Sequence, residues 1–213
     1  MKCKGKETRI EIVKKYGVKP IIHSVLLNKQ TKRSDAEATI KNEYYIFKVM
    51  KKETNEIVDY IQCGLPTARH FLELTGEAPL PIFNPLKGNQ NNEGATDAER
   101  SSERENPEAR EEKAWNPVAK QLRNAIMWLF VLWDVKPGTP ICEFKEEIEK
   151  YYYCEPFPGK VKRVNTVIHN GGKGKTLTQM IKELAEDNDI RESLCQFDLL
   201  EKVMDDLAIP SWF

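Results

Sequence analysis

The chain has 213 residues, enough to bury one large hydrophobic core or two small ones, and it begins without the apolar stretch of a signal peptide. Hydrophobic residues make up 40% of the sequence and charged residues 31%, as in globular proteins, and the longest apolar run, residues 125–133, is about half the length of a membrane span. Basic and acidic residues balance at 33 each. The five cysteines form no CxxC pair, so we expect reduced thiols in a cytoplasmic protein, without a disulfide framework or a metal site. We also expect no membrane contact and no cofactor.

The balance of charge conceals a basic first third. Residues 1–33 contain ten basic side chains against two acidic ones, whereas residues 87–113 and 114–213 are each slightly acidic. Lysine-rich surfaces attract polyanions, and nucleic acid is the commonest polyanion of a cytoplasm. We therefore predict a contact with nucleic acid, and the alternative is a solvated basic face. The predicted nucleic-acid-binding side chains are Lys2, Lys4, Lys6, Arg9, Lys14, Lys15, Lys29, Lys32 and Arg33.

Strands are predicted in the first part of the chain. Pro20 to Leu27 is largely apolar with β-branched residues, and Tyr44 to Met50 alternates in the manner of a half-buried strand. Residues 52–56 form a turn in which Asn55 tolerates a positive φ. Ile57 to Gln62 then returns as the partner strand, so the pattern predicts a β-hairpin.

A helix is predicted directly after the hairpin. Pro66 suits the first turn of a helix, and Gly76 is placed to end the helix in the left-handed conformation. Residues 1–86 are therefore predicted to be a basic α+β module in which a β-hairpin packs against one helix.

The hairpin and the helix carry Tyr45, Tyr60 and Arg69 in an order that resembles the core of GIY-YIG nucleases. Glu43 and Gln62 replace the glycines of the two triplets. The resemblance implies a metal-dependent nuclease in which Tyr45 and Tyr60 orient the attacking water and Arg69 stabilises the phosphate. The alternative explanation is an ordinary hairpin with aromatic cross-strand pairs.

Cys63 is a further candidate for chemistry. It precedes the predicted helix, and a position at a helix N-terminus lowers the pKa of a thiol. His70 follows seven residues later in the sequence. The alternative is a buried structural cysteine.

Residues 87–113 separate the two halves of the sequence. They contain no large apolar residue and are rich in glycine, asparagine, serine and mixed charges. Such a segment cannot recover its ordering entropy by burial. We predict a flexible, disordered acidic linker.

Residues 114–213 are predicted to form a mainly α-helical module. Val118 to Trp133 is apolar on almost every side, as expected of a central buried helix. Further helices are predicted at residues 143–153, 177–184 and 190–207. We expect this module to contact a protein partner or a second copy of the chain.

The most distinctive motif is Asn170-Gly171-Gly172-Lys173-Gly174-Lys175-Thr176. It follows the apolar run Val164 to Ile168, so the pattern predicts a strand, a glycine-rich turn and a helix. The motif resembles the phosphate-binding loop of plasmid-partition ATPases, with Asn170 in place of the signature lysine.

This resemblance implies nucleotide hydrolysis, whereas the residues themselves favour binding of an anion of any origin; the remaining alternative is a flexible surface turn. The predicted anion-binding set is Lys160, Lys162, Arg163, Gly171, Gly172, Lys173, Gly174, Lys175 and Thr176.

The fold class that these elements predict is α+β, with a small N-terminal hairpin and helix module, residues 1–86, joined by the linker to the helical module. The leading functional prediction is a non-enzymatic binding or accessory protein that contacts nucleic acid through its basic first third. The alternative is a divergent, metal-dependent nuclease of the GIY-YIG type.

Overall fold

The computed structural model describes residues 1–87, 113–133, 135 and 138–213. It has a small antiparallel sheet in the first half of the chain and a mainly helical second half, which confirms the predicted α+β class. The predicted linker at residues 87–113 lies almost entirely outside the described residues.

Residue contacts divide the chain into two compact units. Unit 1 comprises residues 1–84 and 129–143, and unit 2 comprises residues 85–128 and 144–213. Residues 129–143, which the sequence places in the helical module, group with the first part of the chain. The existence of two separate modules joined by a linker stays a prediction.

Unit 1 is built on a three-stranded antiparallel sheet in which β4 lies between β1 and β5. A second, two-stranded sheet pairs β2 with β3. The elements of residues 1–84 are helix α1 (Lys6–Lys15), strands β1 (Tyr16–Val25), β2 (Lys32–Arg33), β3 (Thr39–Ile40), β4 (Glu43–Lys51) and β5 (Ile57–Gly64), and helix α2 (Leu65–Thr75).

One face of the sheet packs against α1 and α2. Tyr45, Phe47 and Val49 of β4 are buried in one apolar cluster with Ile12 of α1 and Phe71 of α2. The ring centroids of Phe47 and Phe71 are 5.4 Å apart. Alternation along β4 therefore directs its odd-numbered residues towards the helices.

The other face of the sheet contacts described residues of the segment 129–143. The hydroxyl of Tyr44 donates a hydrogen bond of 3.1 Å to the carbonyl oxygen of Phe130. The ring of Tyr60 lies so close to Gly138 that a Cβ there would approach Tyr60 Cε2 to 2.9 Å. These contacts explain why this segment groups with the sheet.

The predicted hairpin and helix are confirmed as β4, β5 and α2. Asn55 has a φ of 56° in the hairpin turn, and Gly76 ends α2 with a φ of 68°. Helix α1 was not predicted, because Ile12 is its one fully buried residue and an apolar repeat is therefore lacking.

The second half of the chain contains five α-helices within its described residues. They are α3 (Pro117–Leu132), α4 (Pro140–Lys150), α5 (Pro158–Gly171), α6 (Leu177–Ala185) and α7 (Asp198–Asp206), and a short 3-10 helix (Glu192–Leu194) precedes α7. Helix α3 confirms the predicted central helix. Within unit 2, its Trp128 is fully buried and donates a hydrogen bond of 2.8 Å from Nε1 to the carbonyl oxygen of Leu194.

The predicted strand at Val164 to Ile168 is wrong, because these residues lie in α5. The buried residues of α5 are Val161, Val164, Asn165 and Ile168, which recur with the i, i+3, i+4, i+7 spacing of one helix face. The short apolar run taken alone does not separate a strand from part of a helix.

The predicted fourth helix at residues 190–207 is also only partly correct. Ile190 forms an isolated bridge with Leu86, and the Arg191 amide donates to the Pro85 carbonyl oxygen at 2.8 Å. The chain therefore runs extended at this point, and the helix begins only at Asp198.

A buried ionic cluster joins α3 and α4 within unit 2. Lys145 is only 5% exposed, and its Nζ lies 2.7 Å from Oε2 of Glu149. Nε of Arg123 lies 3.1 Å from the other carboxylate oxygen of Glu149. Burial lowers the pKa of Lys145 from its ordinary value, while Glu149 acts in the opposite direction.

Candidate functional site

A group of lysines lies at one end of the unit 1 sheet. Helix α1 ends at Lys15 and β1 begins at the next residue. The antiparallel register brings the end of β4 to the start of β1, with Tyr16 opposite Lys51 and Lys19 opposite Lys48. The lysine cluster formed by these three segments consists of Lys14, Lys15, Lys19, Lys48, Lys51 and Lys52.

The lysine cluster is largely exposed, and only Lys48 is half-buried. Lys51 pairs with Glu56 at 2.7 Å, and Lys52 donates from Nζ to the backbone carbonyl oxygen of Lys14 at 2.9 Å. Lys19 and Lys48 are directly opposite in the register of β1 and β4, which places two lysines at neighbouring positions of the sheet. Neighbouring ammonium groups attract polyanions.

Two of the nine predicted nucleic-acid-binding residues, Lys14 and Lys15, lie in the lysine cluster. Lys2 and Lys4 pair instead with Glu37, at Nζ to Oε distances of 3.5 and 2.9 Å. About 15 Å of helix α1 separates this pair of lysines from the lysine cluster. The predicted basic surface is therefore divided.

The other predicted basic residues lie apart from the cluster. Lys32 is buried, with its Nζ 5.2 Å from the ring centroid of Tyr44. The prediction that Lys32 contacts nucleic acid needs an accessible side chain, so the structure contradicts it. Lys6, at the opposite end of α1, is exposed, as are Lys29 and Arg33.

Lys48, Lys51 and Lys52 were missed by the sequence prediction, as was Lys19. The close spacing of the first three at the end of a predicted strand was the available signal. What brings them to Lys15 and Lys19 is the register between β1 and β4. The sequence does not specify that register, because a connection of some twenty residues rather than a tight turn joins the two strands.

Arg9 points into unit 1 rather than towards solvent. Its Nε donates a hydrogen bond of 2.9 Å to Nδ1 of His70, and its Nη1 donates to the carbonyl oxygen of Cys3 at 3.3 Å. Because Nδ1 of His70 accepts this bond, the neutral ring carries its proton on Nε2. Arg9 therefore joins α1 to α2.

The pKa of His70 is expected to lie below its ordinary value of 6.5 and to rise when Arg9 is replaced by methionine. Burial is the largest cause of the lowered pKa, and the Arg9 charge adds to it. Since the unfolded chain binds this proton more readily, stability falls as the pH is lowered from about 6.5 through the folded-state pKa. NMR titration of the His70 ring tests this; the same pKa in the Arg9→Met variant contradicts it, and Lys14→Met serves as the control.

The structure does not bring together the three side chains of the nuclease hypothesis. Tyr45 lies on the face of the sheet that packs against α1 and α2. Tyr60 pairs with Lys48 across the hairpin and lies on the opposite face, against Gly138. Arg69 is exposed on α2 and close enough for its charge to lower the pKa of Tyr45.

Tyr45 is held in a packed environment. Its side chain is 2% exposed, and its ring stacks on His23 with 3.9 Å between centroids. Burial, followed by the charge of Glu43, raises the pKa of Tyr45 to about 12. His23 is fixed in turn, with Nδ1 2.9 Å from the Leu80 carbonyl oxygen and Nε2 3.4 Å from Oε2 of Glu43. The stacking partner of Tyr45 therefore lies on β1, whereas within the hairpin Tyr45 is opposite Cys63 and Tyr60 is opposite Lys48, so neither tyrosine faces an aromatic residue of the hairpin.

Cys63 is a buried cysteine of the same cluster as Tyr45. Burial raises the pKa of its thiol well above the ordinary value of 9.0, the reverse of the effect expected at an exposed helix N-terminus. His70 uses Nδ1 to accept a bond from Arg9. The nucleophile hypothesis therefore gains no support.

The predicted anion-binding set is divided between the two ends of α5. Lys160, Lys162 and Arg163 lie in its first turns, whereas Gly171 is its last residue, about 16 Å away along the axis. Lys160 pairs with Glu147 at 2.5 Å, and Lys175 pairs with Glu183 at 2.6 Å. The set does not form one site.

Several backbone amides of the glycine-rich turn donate hydrogen bonds to other groups of the protein. Thr176 caps α6, because its Oγ1 accepts from the Gln179 amide at 3.2 Å and its own amide donates to Oε1 of Gln179 at 2.9 Å. The amides of Gly172, Lys175 and Leu177 donate to the carbonyl oxygens of Ile168, Gly172 and Trp212. These groups are not available to cradle a phosphate. The turn between α5 and α6 is thus a helix connection, which replaces the predicted phosphate-binding geometry.

The His, Cys, Asp and Glu side chains of the described residues form no group of three or more that could hold a metal ion. Among the same residues, no helix has the length and apolar character needed to cross a membrane.

A family model described as "Uncharacterised conserved protein UCP028583" matches residues 1–211, which include residues of both units. No curated protein and no solved structure matches the chain. The chain therefore belongs to the family of the Uncharacterised conserved protein UCP028583.

Proposed function

We propose that this protein is a binding protein that contacts nucleic acid through the lysine cluster. The observation that carries the proposal is the presence of six lysines in three adjacent segments, the end of α1, the start of β1 and the end of β4, at one end of the sheet. Glu56 pairs with one of them, so a surplus of positive charge remains. Phosphate groups at regular spacing are suited to such an array.

The exposure of most of these lysines supports a ligand. Lys14, Lys15, Lys19 and Lys52 are all exposed. Exposed ammonium groups at neighbouring positions attract a phosphate backbone. The predicted contact of the helical part with a protein or a second copy stays a separate prediction.

The test is the salt dependence of binding by the full chain. Fluorescence anisotropy with a labelled 20-nucleotide RNA, single-stranded DNA and duplex DNA is expected to show binding at low salt, with the logarithm of affinity falling linearly with the logarithm of salt. The Lys15→Gln/Lys19→Gln variant is expected to weaken binding about tenfold and to reduce the slope by about 2.

The matched control is Lys2→Gln/Lys4→Gln, which changes the net charge equally at the Glu37 pairs. The control is expected to bind nearly as the wild type does. Equal losses in the two variants contradict the lysine cluster as the site. Absence of binding to all three nucleic acids at low salt contradicts the function itself.

A further inference from the structure

The connection between α4 and α5 in unit 2 exposes three aromatic side chains within seven residues. Tyr151 is 44% exposed, Tyr153 is 40% exposed and Phe157 is 73% exposed. Aromatic residues are large enough to dominate the energetics of a core, so three of them in water within one short segment indicate a contact surface.

Each exposed ring is accompanied by a lysine. Nζ of Lys150 lies 5.2 Å from the Tyr151 centroid, and Nζ of Lys160 lies 5.6 Å from the Phe157 centroid. Nζ of Lys113 lies 4.2 Å from the Tyr153 centroid. We call these six residues the aromatic surface: Tyr151, Tyr153, Phe157, Lys113, Lys150 and Lys160.

The backbone at Phe157 is restrained, and the ring of Tyr153 packs against a neighbouring ring. Phe157 lies between Pro156 and Pro158, and its φ of −58° and ψ of 138° are the extended values that a following proline imposes. Tyr153 contacts Tyr152 edge to face, with 5.3 Å between centroids. Such pre-organisation lowers the entropic cost of binding.

The chemistry of the surface selects among possible occupants. Its exposed apolar side chains are aromatic, and none of the exposed residues at 151–163 is a leucine, isoleucine, valine or methionine. Surfaces that bind lipid chains or apolar protein grooves usually combine aromatic with aliphatic side chains, which this segment does not expose. Flat rings beside ammonium groups instead match bases alternating with phosphates.

Charge complementarity supports the same occupant. Residues 150–163 carry Lys150, Lys160, Lys162 and Arg163 against Glu155. Lys160 pairs with Glu147, so the surplus of positive charge rests on the other three basic residues. Lys162 and Arg163 are exposed on α5 just beyond Phe157. Positive charge therefore lies at Lys162 and Arg163, directly after the exposed aromatic residues in the sequence.

We infer that the aromatic surface binds single-stranded nucleic acid by stacking unpaired bases on Tyr151, Tyr153 and Phe157. The inference rests on the proposed function and specifies its ligand, because bases in a duplex have no free face to stack on a side chain. Binding at the lysine cluster needs only phosphates, so it does not distinguish single strands from duplexes.

The experiment compares two variants of one exposed residue in the full chain. Anisotropy with a labelled 15-nucleotide single-stranded RNA is expected to show an affinity about tenfold lower for Phe157→Leu than for the wild type. Phe157→Tyr keeps an aromatic ring and is expected to bind as the wild type does. Leu207→Ala, a change of another exposed apolar side chain of unit 2, is the control for general surface effects.

The outcomes separate the two proposals. Duplex binding that depends on Lys15 and Lys19, together with single-strand affinity unchanged in Phe157→Leu, overturns this inference alone. Absence of binding to duplexes and single strands at low salt overturns the proposed function. If vesicles of phosphatidylcholine and phosphatidylserine bind the wild type but not Phe157→Leu, while the single strand binds both equally, the surface is a membrane contact and the inference is overturned.

Discussion

Replacing Glu149 with glutamine is expected to lower the free energy of unfolding by about 3 kcal/mol, because a buried lysine loses a carboxylate that it contacts. Lys145 is 5% exposed and lies 2.7 Å from the Glu149 carboxylate. Arg123 lies 3.1 Å from the same carboxylate, so the substitution removes a negative charge that both cations contact. Urea denaturation of the full chain measures the loss.

The pH dependence of the same variant gives an independent check. Burial already lowers the pKa of Lys145 from its ordinary value of 10.5, and removal of Glu149 lowers it further. The folded variant then releases this proton at a pH where the unfolded chain still binds it. Because stability rises with pH wherever the unfolded state binds more protons, the deficit is expected to shrink as the pH is raised towards 10.

The control is Glu147→Gln on the same helix. Glu147 also pairs with a lysine, Lys160, but it is 44% exposed. Exposed pairs contribute about 0–1 kcal/mol, so this variant is expected to unfold at nearly the wild-type urea concentration. A similar loss in both variants shows that burial of Lys145 is not the cause.

The hairpin and α2 could be predicted because their signals are local. Alternation in residues 44–50, a turn residue that accepts positive φ at Asn55 and a C-terminal glycine at Gly76 each act over a few residues. The position of β1 beside β4 depends instead on packing between distant segments. The lysine cluster follows from that pairing, which is why only Lys14 and Lys15 were identified in advance.

The candidate site residues on the hairpin show a second limit of prediction from the sequence, which is the face of the sheet on which a residue lies. Tyr45 and Tyr60 were grouped by their order along the chain. In a strand, the face of each residue depends on the register with its partner, and here Tyr45 pairs with Cys63 while Tyr60 pairs with Lys48. An odd separation along β4 between Tyr45 and Lys48 sends the two tyrosines to opposite faces.

The strand predicted before the glycine-rich motif was wrong for a different reason. Glycines next to lysine and threonine occur both where a loop must approach a phosphate and where two helices meet in a tight turn. The motif does not distinguish the two cases unless the element before it is known. Val164 and Ile168 are about one helical turn apart in α5. The apolar run 164–168, which includes both residues, was interpreted as a strand.

The role of the glycine-rich turn leads to the second large prediction, that Gly172→Ala lowers the free energy of unfolding by about 2–3 kcal/mol. A Cβ at Gly172 would clash with the carbonyl oxygen of Lys175 and approach the carbonyl oxygen of Ile168 to 2.8 Å. Both are backbone atoms of the turn: the Ile168 oxygen accepts from the Gly172 amide, and the Lys175 amide donates to the Gly172 carbonyl oxygen, so neither residue moves without opening the turn. Its φ of −77° suits any residue, so the effect is one of space alone.

Gly159→Ala is the matched control, because a Cβ there meets nothing within 4 Å and alanine favours the first turn of α5. Its stability is expected to change by less than about 1 kcal/mol. Thermal unfolding with and without inorganic phosphate then separates the steric explanation from anion binding. If Gly172 serves the connection between helices, phosphate leaves the Tm of the wild type unchanged. A phosphate-dependent rise in Tm that Gly172→Ala abolishes contradicts the steric explanation, since a ligand stabilises only the state that binds it.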